Sequence, residues 1–182
     1  MIPSQLITIL EEFGTNQLSH SGRKLLEHLG GTYQLLKKWG NPEDIALAGL
    51  FHSIYSTQSY KKQAVPFEER EKVVAAIGEE AEKIAFLFCE CDRNSFYGAP
   101  EQEDLIPVIS RRTHQVLLID EGIQQALLEI EAANIVEQHP KIKDRTDPNR
   151  AIPILTRLIE WESILSSKAV AALKECLDDF QK

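Results

Sequence analysis

The segment Ile45-Ala46-Leu47-Ala48-Gly49-Leu50-Phe51 is apolar on every side and is closed by His52. A helix with no polar face has nothing to offer water, so other elements must bury it all round. The rest of the chain therefore has to supply a shell of amphipathic helices, and its apolar spacing does so. Leu6, Ile9 and Leu10 share one face of a helix from Pro3 to about Phe13. Leu25, Leu26, Leu29, Leu35 and Leu36 recur at three- and four-residue spacings through a second helix, from about Ser21 to Trp39. Gly30-Gly31 interrupts it at a cost of about 2 kcal/mol relative to alanines, so close packing is expected there as compensation. Gly40 stops the second helix. Asn41-Pro42-Glu43-Asp44 then starts the buried one, with a cap, a proline in the first turn and two acids at the positive end of the helix dipole.

Further helices are expected at about 67–77, 79–92, 121–138, 150–165 and 167–180, with loops at 14–19, 53–66, 94–104 and 139–149. The one β segment lies near 107–120, where Val108-Ile109 and Val116–Ile119 pair across Arg112-Thr113-His114. Such a hairpin is marginal alone and has to lie on the helices. The expected fold is all-α, a single domain over 1–182 with about eight helices and that small hairpin.

The 182 residues suit one core. A formal charge of −8 argues against a nucleic-acid partner. No apolar run approaches the roughly 20 residues of a membrane span, so no membrane partner is expected either. Glu11 and Glu12 break the pattern of a secretory leader, and three cysteines make no disulfide framework. A cytoplasmic protein is the expectation. The acidity is uneven: within 20–63, Lys and Arg stand at 23, 24, 37, 38, 61 and 62 against acids at 27, 43 and 44, a net +3. That sign favours a small anionic ligand.

Five histidines carry most of the chemistry on offer. His28 sits among the leucines of the second helix, and His52 ends the apolar third helix, followed by Ser53. A histidine finishing a buried helix is either hydrogen-bonded in the core or a ligand or base on a rigid element. The segment Ser21-Gly-Arg23-Lys-Leu-Leu-Glu-His28, the run Ala46-Leu-Ala-Gly-Leu-Phe-His52, the stretch from Ile77 to Ala85 and Glu131-Ala-Ala-Asn134 together resemble the HD-domain superfamily. These are helical, mostly metal-dependent phosphohydrolases, and the pattern is closest to that of guanosine-tetraphosphate hydrolases. The resemblance covers about residues 20–140. It implies an HD-domain-like helical fold and a metal site built on His28 and His52.

The departures bear on chemistry. Ser53 stands where the family pairs Asp with His, and Asn134 where it has a late helical Asp. The Glu-Asp that follows the pair in the tetraphosphate hydrolases is missing from Ser53–Thr57. The block Gly49-Leu-Phe-His-Ser-Ile-Tyr55 also resembles an uncharacterised group of small HD-like proteins that keep His-Ser at this place. Hard cations lose most of their anionic field with such a set, whereas a softer divalent transition metal on His28 and His52 needs a third ligand. His20, His114, Glu27 and Glu131 are the candidates. Without a metal, His28 or His52 could act as general acid or base, with Ser53, Arg23, Tyr55, Asn134 and Arg93 binding the ligand. The bland alternative is that Ser53 ends the helix and Asn134 bonds to backbone. His52 cannot easily activate the adjacent Ser53, because neighbouring helical residues point about 100° apart; His28 could from across the helix pair. Arg93 reaches either a pocket mouth or the last carbonyls of its own helix. Cys89-x-Cys91 faces two ways on a helix and is not expected to chelate.

The expected function is an HD-like enzyme acting on a small, anionic or phosphorylated molecule through a histidine-lined pocket with an altered or absent metal centre. The alternative is a non-catalytic ligand- or partner-binding module on the same scaffold.

Overall fold

The computed structural model describes residues 2–97 and 106–182. The fold is mainly α-helical with two small antiparallel hairpins. Its helices are α1 (Ser4–Glu12), α2 (Leu25–Trp39), α3 (Glu43–Phe51), α4 (Arg70–Ile77), α5 (Glu79–Glu90), α6 (Arg93–Tyr97), α7 (Glu121–Ile142), α8 (Pro148–Ile159) and α9 (Ser167–Gln181). Helix α3 is enclosed by α2, α5 and α7, as its all-apolar surface demands, and Ala46, Ala48, Gly49, Leu50 and Phe51 are buried. Helix α7 touches α2, α3, α5 and α9 and forms the spine of the bundle. Of the loop expected at 94–104, residues 98–104 lie outside the described ones, and Arg93–Tyr97 forms helix α6 instead.

Three expectations need correction. Helix α2 begins at Leu25 rather than near Ser21, because Ser19–Lys24 is a tight hairpin. Strands β1 (Ser19–His20) and β2 (Arg23–Lys24) pair there, with His20 opposite Arg23. Ser21 and Gly22 take φ of +49° and +85°, two successive left-handed residues that match the twist of the flanking strands. Helix α7 runs on to Ile142 through Pro140, where a loop from His139 is expected. His139 is thereby buried and bonded to Asp179 at 3.1 Å. Helix α8 starts at Pro148 on an Asp147 cap and ends at Ile159, six residues early, after which the chain turns.

Strands β3 (Ile106–Ile109) and β4 (Val116–Ile119) form the expected hairpin. It is fastened to the end of α5: Arg111 N–H donates to Glu90 O at 2.8 Å, and Ser110 Oγ donates to the buried Glu90 carboxylate.

Candidate functional site

Helices α2 and α3 bring His28 and His52 together, both fully buried. Their Nε2 atoms are 3.1 Å apart and the rings meet edge to face. The outer nitrogens are occupied: His52 Nδ1 donates to Gly49 O at 2.7 Å, and His28 Nδ1 donates to Glu137 Oε2 at 2.6 Å. A carbonyl and a carboxylate only accept, so each Nδ1 carries a hydrogen. The two Nε2 atoms then share one further proton or meet lone pair to lone pair. Burial pushes both rings toward the neutral form, most strongly His52, while Glu137 pulls His28 the other way.

Glu137 on α7 is the acid of this cluster, and the sequence reading does not single it out. It accepts from Arg23 Nη2 and His28, and from Lys141 Nζ at 2.6 Å. Burial alone would raise its pKa, but those bonds outweigh burial and hold the carboxyl down at about 2. The space it occupies is opened by Gly31, where a Cβ would lie 2.6 Å from Glu137 Oε1. The glycine pair in α2 was the available signal: close packing was expected there, though not of a carboxylate.

In front of the pair lies His20, carried by the β1–β2 hairpin. Its ring stacks on His28 with centroids 4.1 Å apart and planes 2° apart. Burial, then the neighbouring His28, lower its pKa to about 4, so it is neutral near pH 7. Two bonds pin the hairpin: Ser21 Oγ donates to Gln138 Oε1 at 2.9 Å, and Lys62 Nζ to Ser19 Oγ at 2.7 Å.

Beyond His20 opens a cavity of about 510 Å³ whose lining includes Ser53, Thr57, Tyr60, Lys61, Lys62 and Arg93, with Asn134 and Gln138 on the α7 side. Of the expected site residues, Ser53, Arg93 and Asn134 are in this lining and His28, His52, Arg23 and Tyr55 are not. Arg23 turns back to Glu137. Tyr55 is buried and donates to Glu82 Oε1 at 2.8 Å, in an aromatic cluster with Phe67 and Phe86. Arg93 does both things foreseen for it: Nη1 donates to Phe88 O at 2.5 Å, and Nε reaches Glu131 at 3.3 Å at the cavity wall. Asn134 joins an amide chain, giving Nδ2–H to Glu131 at 3.2 Å and taking Gln138 Nε2–H at 2.8 Å.

The HD resemblance implies a transition metal on this donor set. Two imidazole nitrogens 3.1 Å apart suit a shared ion at about 2.0–2.1 Å from each, but they suit a hydrogen bond equally. A third ligand is missing: no group of three or more His, Cys, Asp or Glu is placed to hold an ion among the described residues. Glu27 and His114 are exposed, Glu131 is tied to Arg93 and Asn134, and Glu137 sits on the Nδ1 side of His28. The residues do not fit a catalytic metal centre, which takes three protein ligands. Cys89 and Cys91 are buried thiols pushed up to about 12 by desolvation, and Cys89 Sγ is spent on His52 O at 3.1 Å.

Residues 9–93 match a family model described as a domain of unknown function, DUF6817. The match takes in α2, α3 and α5, and so His20, His28, His52 and Tyr60, but stops short of Glu137 and the α7 wall. No curated protein and no solved structure matches the chain. No helix among the described residues is long and apolar enough to cross a membrane.

Proposed function

We propose that this chain binds a small anionic molecule, of the phosphate- or carboxylate-bearing class, in the cavity in front of His20. The observation that carries the reading is the charge of the lining. Lys61, Lys62 and Arg93 stand among hydroxyls and amides, and the one carboxylate among the described lining residues, Glu131, is bonded to Arg93. The scaffold is read as HD-like without the metal, supported by buried histidines on consecutive helices and by Asn134 on the facing helix. His28 and His52 act in this reading as internal supports, since His20 seals them from the cavity.

Calorimetric titration with inorganic phosphate and with glycerol 3-phosphate tests it. Wild type should bind at least one of them, and Lys61→Ala/Lys62→Ala should weaken binding about tenfold or more, roughly 1.4 kcal/mol. Unchanged binding in the double variant, or none in wild type, would contradict the reading.

A second reading, catalysis on the bound anion, is favoured by one observation. His20 is a neutral imidazole at the cavity wall, backed by the His28–Glu137 pair, and such a ring can take a proton from a ligand. It predicts turnover on a panel of phosphate esters that His20→Ala abolishes. Turnover equal in wild type and in His20→Ala, His28→Ala and His52→Ala would sink it.

A further inference from the structure

Buried polar atoms almost always find partners, because an unpaired one costs about 1–3 kcal/mol. Among the described residues, five buried side-chain atoms have none: Asn16 Oδ1, His20 Nδ1, Arg23 Nε, Tyr60 Oη and Gln124 Nε2. Two of these, on His20 and Tyr60, belong to residues that line the cavity, and their rings are neighbours with centroids 4.8 Å apart. Lys61 and Lys62 follow Tyr60 directly in the chain and line the same space. The backbone holds Tyr60 in place independently of its hydroxyl: Thr57 N–H donates to Tyr60 O at 2.6 Å, and Tyr60 N–H to Thr57 Oγ1 at 3.0 Å. The hydroxyl thus contributes nothing visible to the fold, and burial holds its proton on by raising the phenol pKa. It is a neutral donor without an acceptor, beside a ring nitrogen that also has no partner.

We propose that Tyr60 and His20 are the oxyanion-recognition pair of this cavity, closing together on one oxygen of a phosphate or carboxylate whose charge Lys61 and Lys62 balance. The pair rests on the anion-binding reading above and adds to it the residues that orient the head group. In the free protein both atoms are shielded, and these two half-buried side chains have to swing about their Cα–Cβ bonds to present them to a ligand oxygen. Two uncharged donors, the Tyr60 hydroxyl and His20 in its Nδ1–H tautomer, favour an oxygen acceptor over a halide of equal charge, which the lysines alone would not do.

The test measures melting temperature and affinity on the same variants, Tyr60→Phe and His20→Asn, with inorganic phosphate, acetate and chloride as probes. Tyr60→Phe removes a hydroxyl that has no partner in the free protein. It should therefore leave the melting temperature unchanged or higher while weakening phosphate or acetate about tenfold, and chloride not at all. Whichever of phosphate and acetate suffers the larger loss identifies the head group. His20→Asn should reproduce the selective loss. A lowered melting temperature with unchanged affinity in Tyr60→Phe would overturn the pair and make the hydroxyl structural. If phosphate binding depends on Lys61 and Lys62 but not on Tyr60 or His20, the pair fails and the anion-binding reading stands. If wild type binds neither phosphate nor acetate, both fail.

Discussion

Glu137 accepts from Arg23, His28 and Lys141 at once, so removing its carboxylate leaves two cations and an imidazole facing one another in a nearly dry space. Breaking a buried pair from one side costs about 3–5 kcal/mol, and Glu137→Ala should fall near the lower figure because Lys141 is half exposed and can turn to water. Equilibrium urea unfolding measures this directly. The same residues set the acid limit of the fold. His20, His28 and His52 have folded-state pKa values below 6.5, so the unfolded chain takes up protons that the native state refuses. Stability should therefore fall as pH drops from 6.5 toward 4. Glu137, held at about 2 against an ordinary 4.5, adds a further loss between about 4.5 and 2. A urea midpoint that stays flat from pH 7 to 4 would show that these rings take up protons alike in the native and unfolded chains, and one that rises would show that they are charged in the native state at neutrality. At this scale the sequence was only half legible. His28 and His52 stand out because an apolar helix ends in one of them, whereas Glu137 and Tyr60 lie in ordinary polar stretches and gain their meaning only from what faces them across space.

Elements were more legible than their joints. The apolar wheel of α3 required burial, and α2, α5 and α7 provide it. The hairpin β3–β4 was visible from two short apolar runs around a polar turn. The joints failed where local chemistry competes with periodicity. Ser21-Gly22 is a turn dipeptide, yet the leucine spacing that follows drew the helix back over it, and with it His20 was placed before a helix rather than on a hairpin. Pro140 marked a loop because proline loses a helix hydrogen bond, but in the last turn of α7 that loss is tolerated. Two glycines test the packing of these elements. At Gly49 a Cβ would lie 2.2 Å from Leu36 Cδ1, the far end of a buried side chain that has to repack, with Thr32 Cγ2 in ordinary contact at 3.6 Å, so Gly49→Ala should cost about 1–3 kcal/mol, partly offset by helix propensity. At Gly31 it meets the carboxyl and Cγ of Glu137, which three bonds hold in place. Gly31→Ala should therefore be the more damaging of the two in thermal unfolding, and equal losses would mean that Glu137 is free to move.

For the whole molecule, a cavity with Lys61, Lys62, Arg93 and Glu131 in its wall lies in front of a sealed histidine pair on a helical bundle. Protein purified without a histidine tag should hold less than about one-tenth of an equivalent of any transition metal, since two imidazoles fall short of the usual three ligands. One equivalent by elemental analysis would restore the metal reading. The distribution of charge, net negative overall but positive through residues 20–63, makes sense on this scale, because Lys61 and Lys62 reach the cavity while the acids of that window do not line it. The most direct test of the central claim is amide chemical-shift mapping on titration with inorganic phosphate. The account predicts that the largest shifts fall on His20, Tyr60, Lys61 and Lys62 and saturate together. Shifts scattered over the surface, or clustered around His139 and Asp179 in the separate groove between α7 and α9, would contradict it.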